Sequence, residues 1–182
     1  MRRFAALALA AALTLSPTAA LPALPEGARA PDFTATGALA GRPFRVRLSE
    51  LLARGPVVLY FYPRAFTQGC TLEARAFSQQ AAAFRRAGAR VIGMSADDLP
   101  TLRRFSVEEC RNAFPVATAT PATITAYDVR LREGATMTNR TSYVIAPNGR
   151  IIHTHSDLDW REHVSSSLAA VQRWRASQRR RR

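Results

Sequence analysis

The sequence contains no lysine, and all 26 of its basic residues are arginine. The absence of lysine excludes Schiff-base catalysis and the lysine-containing phosphate loop of nucleotide-binding proteins. Only two cysteines are present, Cys70 and Cys110, and two thiols cannot form a structural zinc site by themselves. The longest apolar run lies at the N-terminus, and it is shorter than the ~20 residues needed to span a bilayer.

The composition is that of a globular protein. Hydrophobic residues make up 47% of the 182 residues and charged residues 21%, which excludes a disordered chain and a disulfide-dense miniprotein. The length suits one domain with a substantial core. The net charge of +13 is high.

The N-terminus has the features of a secretory signal peptide. Arg2 and Arg3 precede the apolar stretch 4–15, and the small residues Thr18, Ala19 and Ala20 follow. This arrangement predicts cleavage after Ala20 and a periplasmic or secreted mature protein. An uncleaved anchor is the alternative, although the apolar run is too short to span a bilayer.

Strands and helices alternate along the rest of the chain. Residues 56–62 are continuously apolar, which predicts a strand buried on both faces, and apolar positions from Leu72 to Phe84 predict a helix that Gly88 ends. Further strands are predicted at 44–48, 91–94, 142–146 and 151–155. Asp97-Asp98 can cap a helix that carries Leu102, Phe105 and Cys110. A final helix has its apolar residues on one face: Trp160, Val164, Leu168, Val171 and Trp174. This order favours an α/β fold with a central mixed β-sheet and helices on both faces.

These observations divide the chain into four parts. They are a signal peptide at 1–20, a linker at 21–27, one domain at 28–175 and a basic tail at 176–182. We interpret the arginines of the tail as a solvated chain end.

Cys70 lies where the buried strand gives way to the next helix. Ligands of α/β sheets gather at the carboxyl ends of strands. With Thr67 as the N-cap, Cys70 falls in the first helical turn, where unpaired N–H groups and the helix dipole favour a reactive thiolate. The alternative is an inert, buried cysteine.

The residues around Cys70 resemble those of peroxiredoxins. Pro63, Thr67 and Cys70 reproduce the family's P-x-x-x-T-x-x-C signature, and the string FYPRAFTQGCTLE is similar to the peroxiredoxin Q, or bacterioferritin-comigratory-protein, subgroup. Segments 30–33 and 139–145 extend the resemblance, which covers roughly residues 28 to 175 and implies a thioredoxin-like fold. Gln68 departs from the proline that many members carry.

The resemblance implies a role for each motif residue. Cys70 would be the peroxidatic cysteine that attacks peroxide, Thr67 would hydrogen-bond the peroxide and the thiolate, and Pro63 would shield the sulfur from water. Arg140, which matches the family's arginine, would stabilise the thiolate and the leaving oxygen. Glu73 would either orient an arginine or only complement the helix dipole.

Cys110 has three interpretations. Many members of the subgroup carry a second cysteine five positions after the first, where this chain has Arg75. The resemblance to other members favours Cys110 as the resolving cysteine, which would trap the sulfenic acid as a disulfide. A structural disulfide and a free buried thiol remain open.

Several partners and ligands follow from the same resemblance. We expect hydrogen peroxide and organic hydroperoxides as substrates, a thioredoxin-like electron donor, no cofactor and a monomer. We expect no nucleic-acid partner, no stable membrane insertion and no metal, although His153 and His155 share a strand face. The rival functions are an exported disulfide-exchange protein, which lacks its expected C-x-x-C, and a non-catalytic binding module.

Overall fold

The computed structural model describes residues 21–180, so the predicted signal peptide and the last two arginines lie outside the described residues. The chain forms a seven-stranded sheet in the order β2-β1-β5-β4-β3-β6-β7. Its elements are β1 (Thr34–Leu39), β2 (Arg42–Arg47), α1 (Leu48–Leu52), β3 (Val57–Phe61), α2 (Gln68–Arg86), β4 (Arg90–Ser95), α3 (Leu99–Glu108), β5 (Val116–Thr118), α4 (Pro121–Ala126), β6 (Thr141–Ile145), β7 (Ile151–Ser156) and α5 (His163–Arg180). Strands β3, β4 and β5 are parallel, and the other pairs are antiparallel, so the predicted mixed sheet is confirmed.

Strand β3 lies at the centre of the molecule, and all five of its side chains are buried. Because successive side chains of a strand point to opposite faces, β3 contributes to two apolar clusters. Val58 and Tyr60 join the cluster that contains residues of α2, α3 and α5. Leu59 and Phe61 join the cluster that contains residues of α1 and α4. The predicted placement of helices on both faces is therefore confirmed.

Four short elements were missing from the prediction. They are β1, α1, β5 and α4. In β1, Gly37 interrupts the apolar pattern, and a Cβ there would overlap the Val116 carbonyl oxygen of the neighbouring strand. Helix α3 ends at Glu108, so Cys110 lies just beyond the helix in which the sequence placed it. Helix α5 continues to Arg180, past the predicted boundary at residue 175.

The segment 21–27, predicted as a linker, is hydrogen-bonded to the sheet. The Leu24 amide donates to the Tyr143 hydroxyl at 3.0 Å, and the Thr154 hydroxyl donates to the Leu24 carbonyl at 2.9 Å. The Asn139 amide group donates to the Pro22 carbonyl at 2.9 Å. These residues are therefore part of the folded unit. None of the helices between residues 21 and 180 is long and apolar enough to cross a membrane.

Candidate active site

The loop from Tyr62 to Thr67 joins the carboxyl end of β3 to α2 and is held by the end of the neighbouring strand. The Asp97 carboxylate accepts from the Ala65 amide and from the Ser95 hydroxyl, both at 2.7 Å. Phe66 adopts a positive φ of 63°, a conformation that non-glycine residues rarely take. The loop therefore has a fixed shape where it enters the helix.

Thr67 occupies the N-cap position of α2, as predicted, but its side chain forms no capping hydrogen bond. Its hydroxyl instead donates to the Arg64 carbonyl at 2.9 Å. No hydrogen bond joins Thr67 to Cys70 among the described residues. Because its proton is already donated, the exposed hydroxyl oxygen is oriented to accept a hydrogen bond from an incoming hydroxyl group. Pro63 is half-buried at the start of the same loop.

Cys70 is the third residue of α2, and it is buried beside the Arg140 guanidinium. The Nη2 group of Arg140 donates to the Cys70 sulfur over 3.5 Å. Arg140 is the residue just before β6, and β6 is the antiparallel neighbour of β3. The two predicted residues, 70 positions apart in the sequence, are thus brought together at the carboxyl end of β3.

Arg140 binds two further partners besides Cys70. Its Nη1 group donates to the Glu73 carboxylate, and its Nε group donates to the Leu158 carbonyl at 2.9 Å. Glu73 lies one helical turn after Cys70, so both side chains project from the same face of α2. Of the two alternatives for Glu73, the structure supports the one in which it orients an arginine.

Burial dominates the electrostatics of Glu73. The loss of water raises the pKa of Glu73 to about 8, although the Arg140 charge and hydrogen bond act in the opposite direction. Its Oε2 atom binds Arg140, while its Oε1 atom has no hydrogen-bond partner among the described residues. Oε1 instead lies 3.8 Å from the Nδ1 atom of His163.

His163, at the start of α5, is a site residue that the sequence analysis missed. Its Nε2 atom lies 2.9 Å from the Asp157 carbonyl, which can only accept, so Nε2 carries the proton. Nδ1 then accepts from the Ser142 hydroxyl at 2.8 Å. Burial lowers the pKa of His163 to about 3, and the ring is therefore neutral.

Gly69 is a second site residue to which the sequence analysis assigned no role, although it lies in the string that resembles the peroxiredoxin Q subgroup. A Cβ at this position would lie 3.1 Å from the Nη2 atom of Arg140, the same group that donates to Cys70. Any side chain here would therefore press against the guanidinium. The absence of a side chain at residue 69 lets Arg140 approach the thiol.

Cys110 is fully buried, and both cysteines are free thiols. Burial raises the pKa of the Cys110 thiol well above its usual value, and the nearby Glu109 charge raises it further. Cys70 and Cys110 belong to the same apolar cluster, together with Tyr60 and Tyr62. Burial raises both tyrosine pKa values well above their usual range.

The candidate metal ligands His153 and His155 contact different partners. His153 lies 3.2 Å from Glu26, whereas the His155 ring packs edge-on against His163 with centroids 4.4 Å apart. No group of three metal-ligating side chains occurs within residues 21–180.

A buried cysteine in the first turn of the helix that follows the central strand, with a buried arginine donating to its sulfur, defines a cysteine-based redox site. The sequence model of the AhpC/TSA family matches residues 27–154. The chain is 31% identical over 175 residues to a chloroplastic peroxiredoxin Q of Oryza sativa subsp. japonica, covering 87% of this chain and 78% of that protein. The chain belongs to the AhpC/TSA family.

Solved structures agree with this assignment. The crystal structure of peroxidoxin BcpB from Mycobacterium tuberculosis superposes with a TM-score of 0.73 at 29% identity, over 81% of this chain and 96% of that one. A peroxiredoxin Q from Xanthomonas campestris superposes with a TM-score of 0.67 at 26% identity, over 77% of this chain and 90% of that one. The chain is thus a thiol peroxidase of the peroxiredoxin Q type with a thioredoxin-like fold. None of the relatives named here supports the disulfide-exchange or binding-module alternatives.

Proposed function

We propose that the chain is an exported peroxidase in which Cys70 reduces hydrogen peroxide and organic hydroperoxides, and Cys110 resolves the oxidised Cys70. The observation that carries this proposal is the 3.5 Å contact between the Arg140 guanidinium and the buried Cys70 sulfur. A fixed positive charge at that distance stabilises a thiolate and the negative charge that develops on a departing oxygen.

In the first step, the Cys70 thiolate attacks one oxygen of the peroxide. The S–O bond forms, the O–O bond breaks, and the sulfur is oxidised to a sulfenic acid. The other oxygen takes up a proton from solvent and leaves as water or as an alcohol. In this step Arg140 faces the developing charge, and the Thr67 hydroxyl, which already donates to Arg64, accepts from the peroxide.

In the second step, local unwinding exposes Cys110 to water, its thiol loses a proton to solvent, and the resulting thiolate attacks the sulfur of the sulfenic acid. The S–S bond forms, the S–O bond breaks, and the oxygen leaves as water after protonation. Bridged cysteines need Cα atoms within ~7 Å, and both thiols are buried in the apolar cluster. The first turn of α2 and the segment after α3 must therefore unwind locally. A thioredoxin-like dithiol protein then reduces the disulfide.

The remaining parts of the proposal concern assembly and location. We propose that the enzyme acts as a monomer, as the resemblance to the peroxiredoxin Q subgroup implies. The predicted signal peptide supports export and cleavage after Ala20, and N-terminal sequencing of the exported protein tests this. We also propose that the chain uses no metal or other cofactor.

The peroxidase proposal is tested by intact mass and free-thiol counts. The fully reduced chain of residues 21–182 receives one equivalent of hydrogen peroxide and is analysed within seconds. We expect the loss of two hydrogens and of both thiols. Cys70→Ser should abolish the reaction, whereas Cys110→Ser should gain one oxygen on Cys70.

Other outcomes have defined meanings. If the unaltered chain gains one oxygen while Cys110 stays free, the proposed resolving role is wrong and the enzyme is a one-cysteine peroxidase. If Cys70→Ser still consumes peroxide at the original rate, the assignment of the peroxidatic cysteine is wrong. An unchanged mass with both thiols intact would contradict the proposed reaction itself.

A further inference from the structure

Acidic residues are absent from three long segments of the sequence. Segments 51–72, 74–96 and 163–182 contain neither aspartate nor glutamate but include 12 of the 26 arginines. Glu73, which separates the first two segments, is buried and paired with Arg140. The positive charge of this protein is therefore concentrated in particular parts of the chain.

The fold brings arginines from these segments together at one end of the molecule. Helices α2 and α5 pack against each other, and Arg175 of α5 donates to the Arg86 carbonyl at the end of α2. Arg90 donates to the Arg54 carbonyl at 2.9 Å. Together with Arg179, these residues form what we call the arginine face: Arg54, Arg86, Arg90, Arg175 and Arg179.

Two adjoining open clefts cross the arginine face. One, of about 300 Å³, lies between α2 and α5 and is lined by Arg86, Arg175 and Arg179. The other, of about 400 Å³, is lined by Arg54, Arg175 and Arg179, with Trp174 in its wall. Each cleft is thus lined by three arginines.

Favourable contacts within the protein explain only part of this cluster. Arg90 and Arg175 donate to backbone carbonyls, and arginines near helix C-termini complement the helix dipole. The side chains of Arg54, Arg86 and Arg179 make no hydrogen bond or ion pair with any residue between 21 and 180. Three exposed guanidinium groups are therefore available to an external anion.

The arginine face lies far from the thiol. Cys70 is in the first turn of α2, whereas Arg86 is its last residue. At 1.5 Å per residue, these positions are roughly 24 Å apart along the helix axis. A partner bound at the arginine face would leave the carboxyl end of β3 open to peroxide and to a reductant.

We propose that the arginine face docks peripherally on the surface of an anionic phospholipid bilayer. A guanidinium group can bind two oxygens of one phosphate at the same time. The two clefts place arginines side by side, so neighbouring phosphate headgroups could be bound together. Trp174 adds an amphipathic ring of the kind that favours the membrane–water interface. The inference rests on the proposed export, because an exported chain encounters phospholipid headgroups rather than nucleic acid.

Co-sedimentation with vesicles tests the proposal. The reduced chain of residues 21–182 is mixed with phosphatidylcholine vesicles or with vesicles containing equal parts of phosphatidylglycerol. We expect binding only to the anionic vesicles, weakening as salt is added. The triple variant Arg54→Gln, Arg86→Gln and Arg179→Gln should bind roughly a hundredfold more weakly, since each basic residue near a membrane surface contributes about a fivefold increase in affinity.

A charge-matched control separates the arginine face from net charge alone. The control is a second triple variant, Arg42→Gln, Arg45→Gln and Arg132→Gln. This variant removes the same charge from exposed residues outside the arginine face, and it should keep most of the vesicle binding. Equal losses in the two triple variants would overturn the proposal. So would the absence of binding to anionic vesicles, or tighter binding to duplex DNA than to those vesicles.

Peroxide consumption is measured on the same samples. We expect both triple variants to retain the rate of the unaltered chain, because none of their substitutions touches the Cys70 site. A chain that consumes peroxide but does not bind vesicles contradicts the docking alone, whereas one that binds vesicles but consumes no peroxide contradicts the peroxidase mechanism. Vesicle binding does not depend on the secretion pathway, so N-terminal sequencing tests export separately.

Discussion

Arg140 and Glu73 form the electrostatic centre of the Cys70 site. One guanidinium group donates to a thiol sulfur, a carboxylate and a backbone carbonyl, which uses three of its nitrogens in three directions. A lysine ammonium is a compact charge without this planar geometry, so it cannot replace arginine here. The net charge beside Cys70 therefore depends on whether Glu73 carries a proton.

The pH dependence of the peroxide reaction should report this proton. Burial raises the pKa of Glu73 to about 8, so at a pH below this value Glu73 is mostly protonated and leaves the Arg140 charge uncompensated. As the pH rises through that value, the carboxylate offsets the charge and the site becomes less positive. We expect the second-order rate constant for peroxide, measured by stopped-flow fluorescence, to fall above about pH 8.

The substitution Glu73→Gln should remove this decline, since glutamine keeps a hydrogen-bonding oxygen but does not ionise. His163 does not contribute to it, because burial lowers its pKa to about 3 and it stays neutral throughout. A matched substitution at an exposed acid, Glu133→Gln, should leave the decline in place. Identical pH profiles for Glu73→Gln and the unaltered chain would contradict the assignment.

Residues with a local signature could be predicted from the sequence, and residues whose role depends on the fold could not. Pro63, Thr67 and Cys70 stand together in one recognisable string, and Arg140 stands in a second. His163 reaches the site only because α5 packs beside β6 and β7, which no spacing in the sequence announces.

At the scale of secondary structure, the first turn of α2 carries both Cys70 and Gly69, the residue that Arg140 approaches closely. Gly69→Ala would place a Cβ 3.1 Å from Arg140 and displace the guanidinium from Cys70. Alanine is the better helix former by about 1 kcal/mol, so the variant should be at least as stable to urea. A contact at this distance shifts the guanidinium by a few tenths of an ångström, so the rate constant with peroxide should fall by up to about tenfold.

Gln68→Ala is the control for this prediction, because residue 68 is exposed and should leave the peroxide reaction unaffected. Unimpaired peroxide reduction by Gly69→Ala would show that Arg140 tolerates displacement. A loss of rate accompanied by a loss of stability would instead indicate a general disturbance of α2.

The segment after α3 is held to α2 by an ion pair next to the proposed resolving cysteine. Arg75 of α2 and Glu109 are 2.6 Å apart, and Glu109 directly precedes Cys110. Arg111 and Asn112, which follow, both adopt positive φ values of 50° and 60°. Each such non-glycine residue costs on the order of 1–3 kcal/mol, so the segment contains strain that unwinding would release.

Glu109→Gln should therefore accelerate formation of the Cys70–Cys110 disulfide. The Arg75 side chain is partly exposed, so the pair contributes up to about 1 kcal/mol and the acceleration should not exceed about fivefold. Rapid quenching followed by mass analysis measures the conversion of sulfenic acid to disulfide.

The exposed pair of Arg104 and Glu108 provides the control. Glu108→Gln removes a neighbouring ion pair of the same type but does not free the segment from α2, so its rate should not change. A slower conversion in Glu109→Gln would show that the ion pair assists resolution instead of restraining it.

The elements that the sequence predicted are those with long, periodic apolar patterns. Strands β3 and β4 and helix α2 have such patterns, and their positions were predicted to within a few residues, whereas α5 was predicted to exist but ends six residues beyond Trp174. Strand β5 has only three residues, and α1 and α4 have five and six. Elements this short depend on packing against the sheet, which local sequence does not encode.

At the scale of the whole molecule, the segment 21–27 links the predicted cleavage site to the sheet. Three hydrogen bonds join Pro22 and Leu24 to side chains of the domain. A chain that begins at residue 28 loses these three bonds and also the hydrogen bonds that join Glu26 and Gly27 to β7 and to Arg150. At about 1 kcal/mol each for the buried bonds, its free energy of unfolding should fall by about 3 kcal/mol or more. Urea unfolding measures the difference.

A chain that begins at Pro22 serves as the comparison. It lacks only Leu21 and keeps all three bonds, so its unfolding midpoint should match that of the chain beginning at Leu21. Equal stability of the chain beginning at residue 28 would mean that solvent replaces these bonds without cost.

The length of α2 has a consequence for the peroxides that this enzyme can reach. A chain docked through its arginine face would hold Cys70 at the far end of a helix of 19 residues. With the α2 axis along the bilayer normal, the thiol would lie roughly 24 Å above the lipid headgroups and could not touch a hydroperoxide on an acyl chain that remains within the bilayer. Such an enzyme would intercept peroxides diffusing through the aqueous layer above the membrane and would leave the repair of oxidised lipids to other proteins.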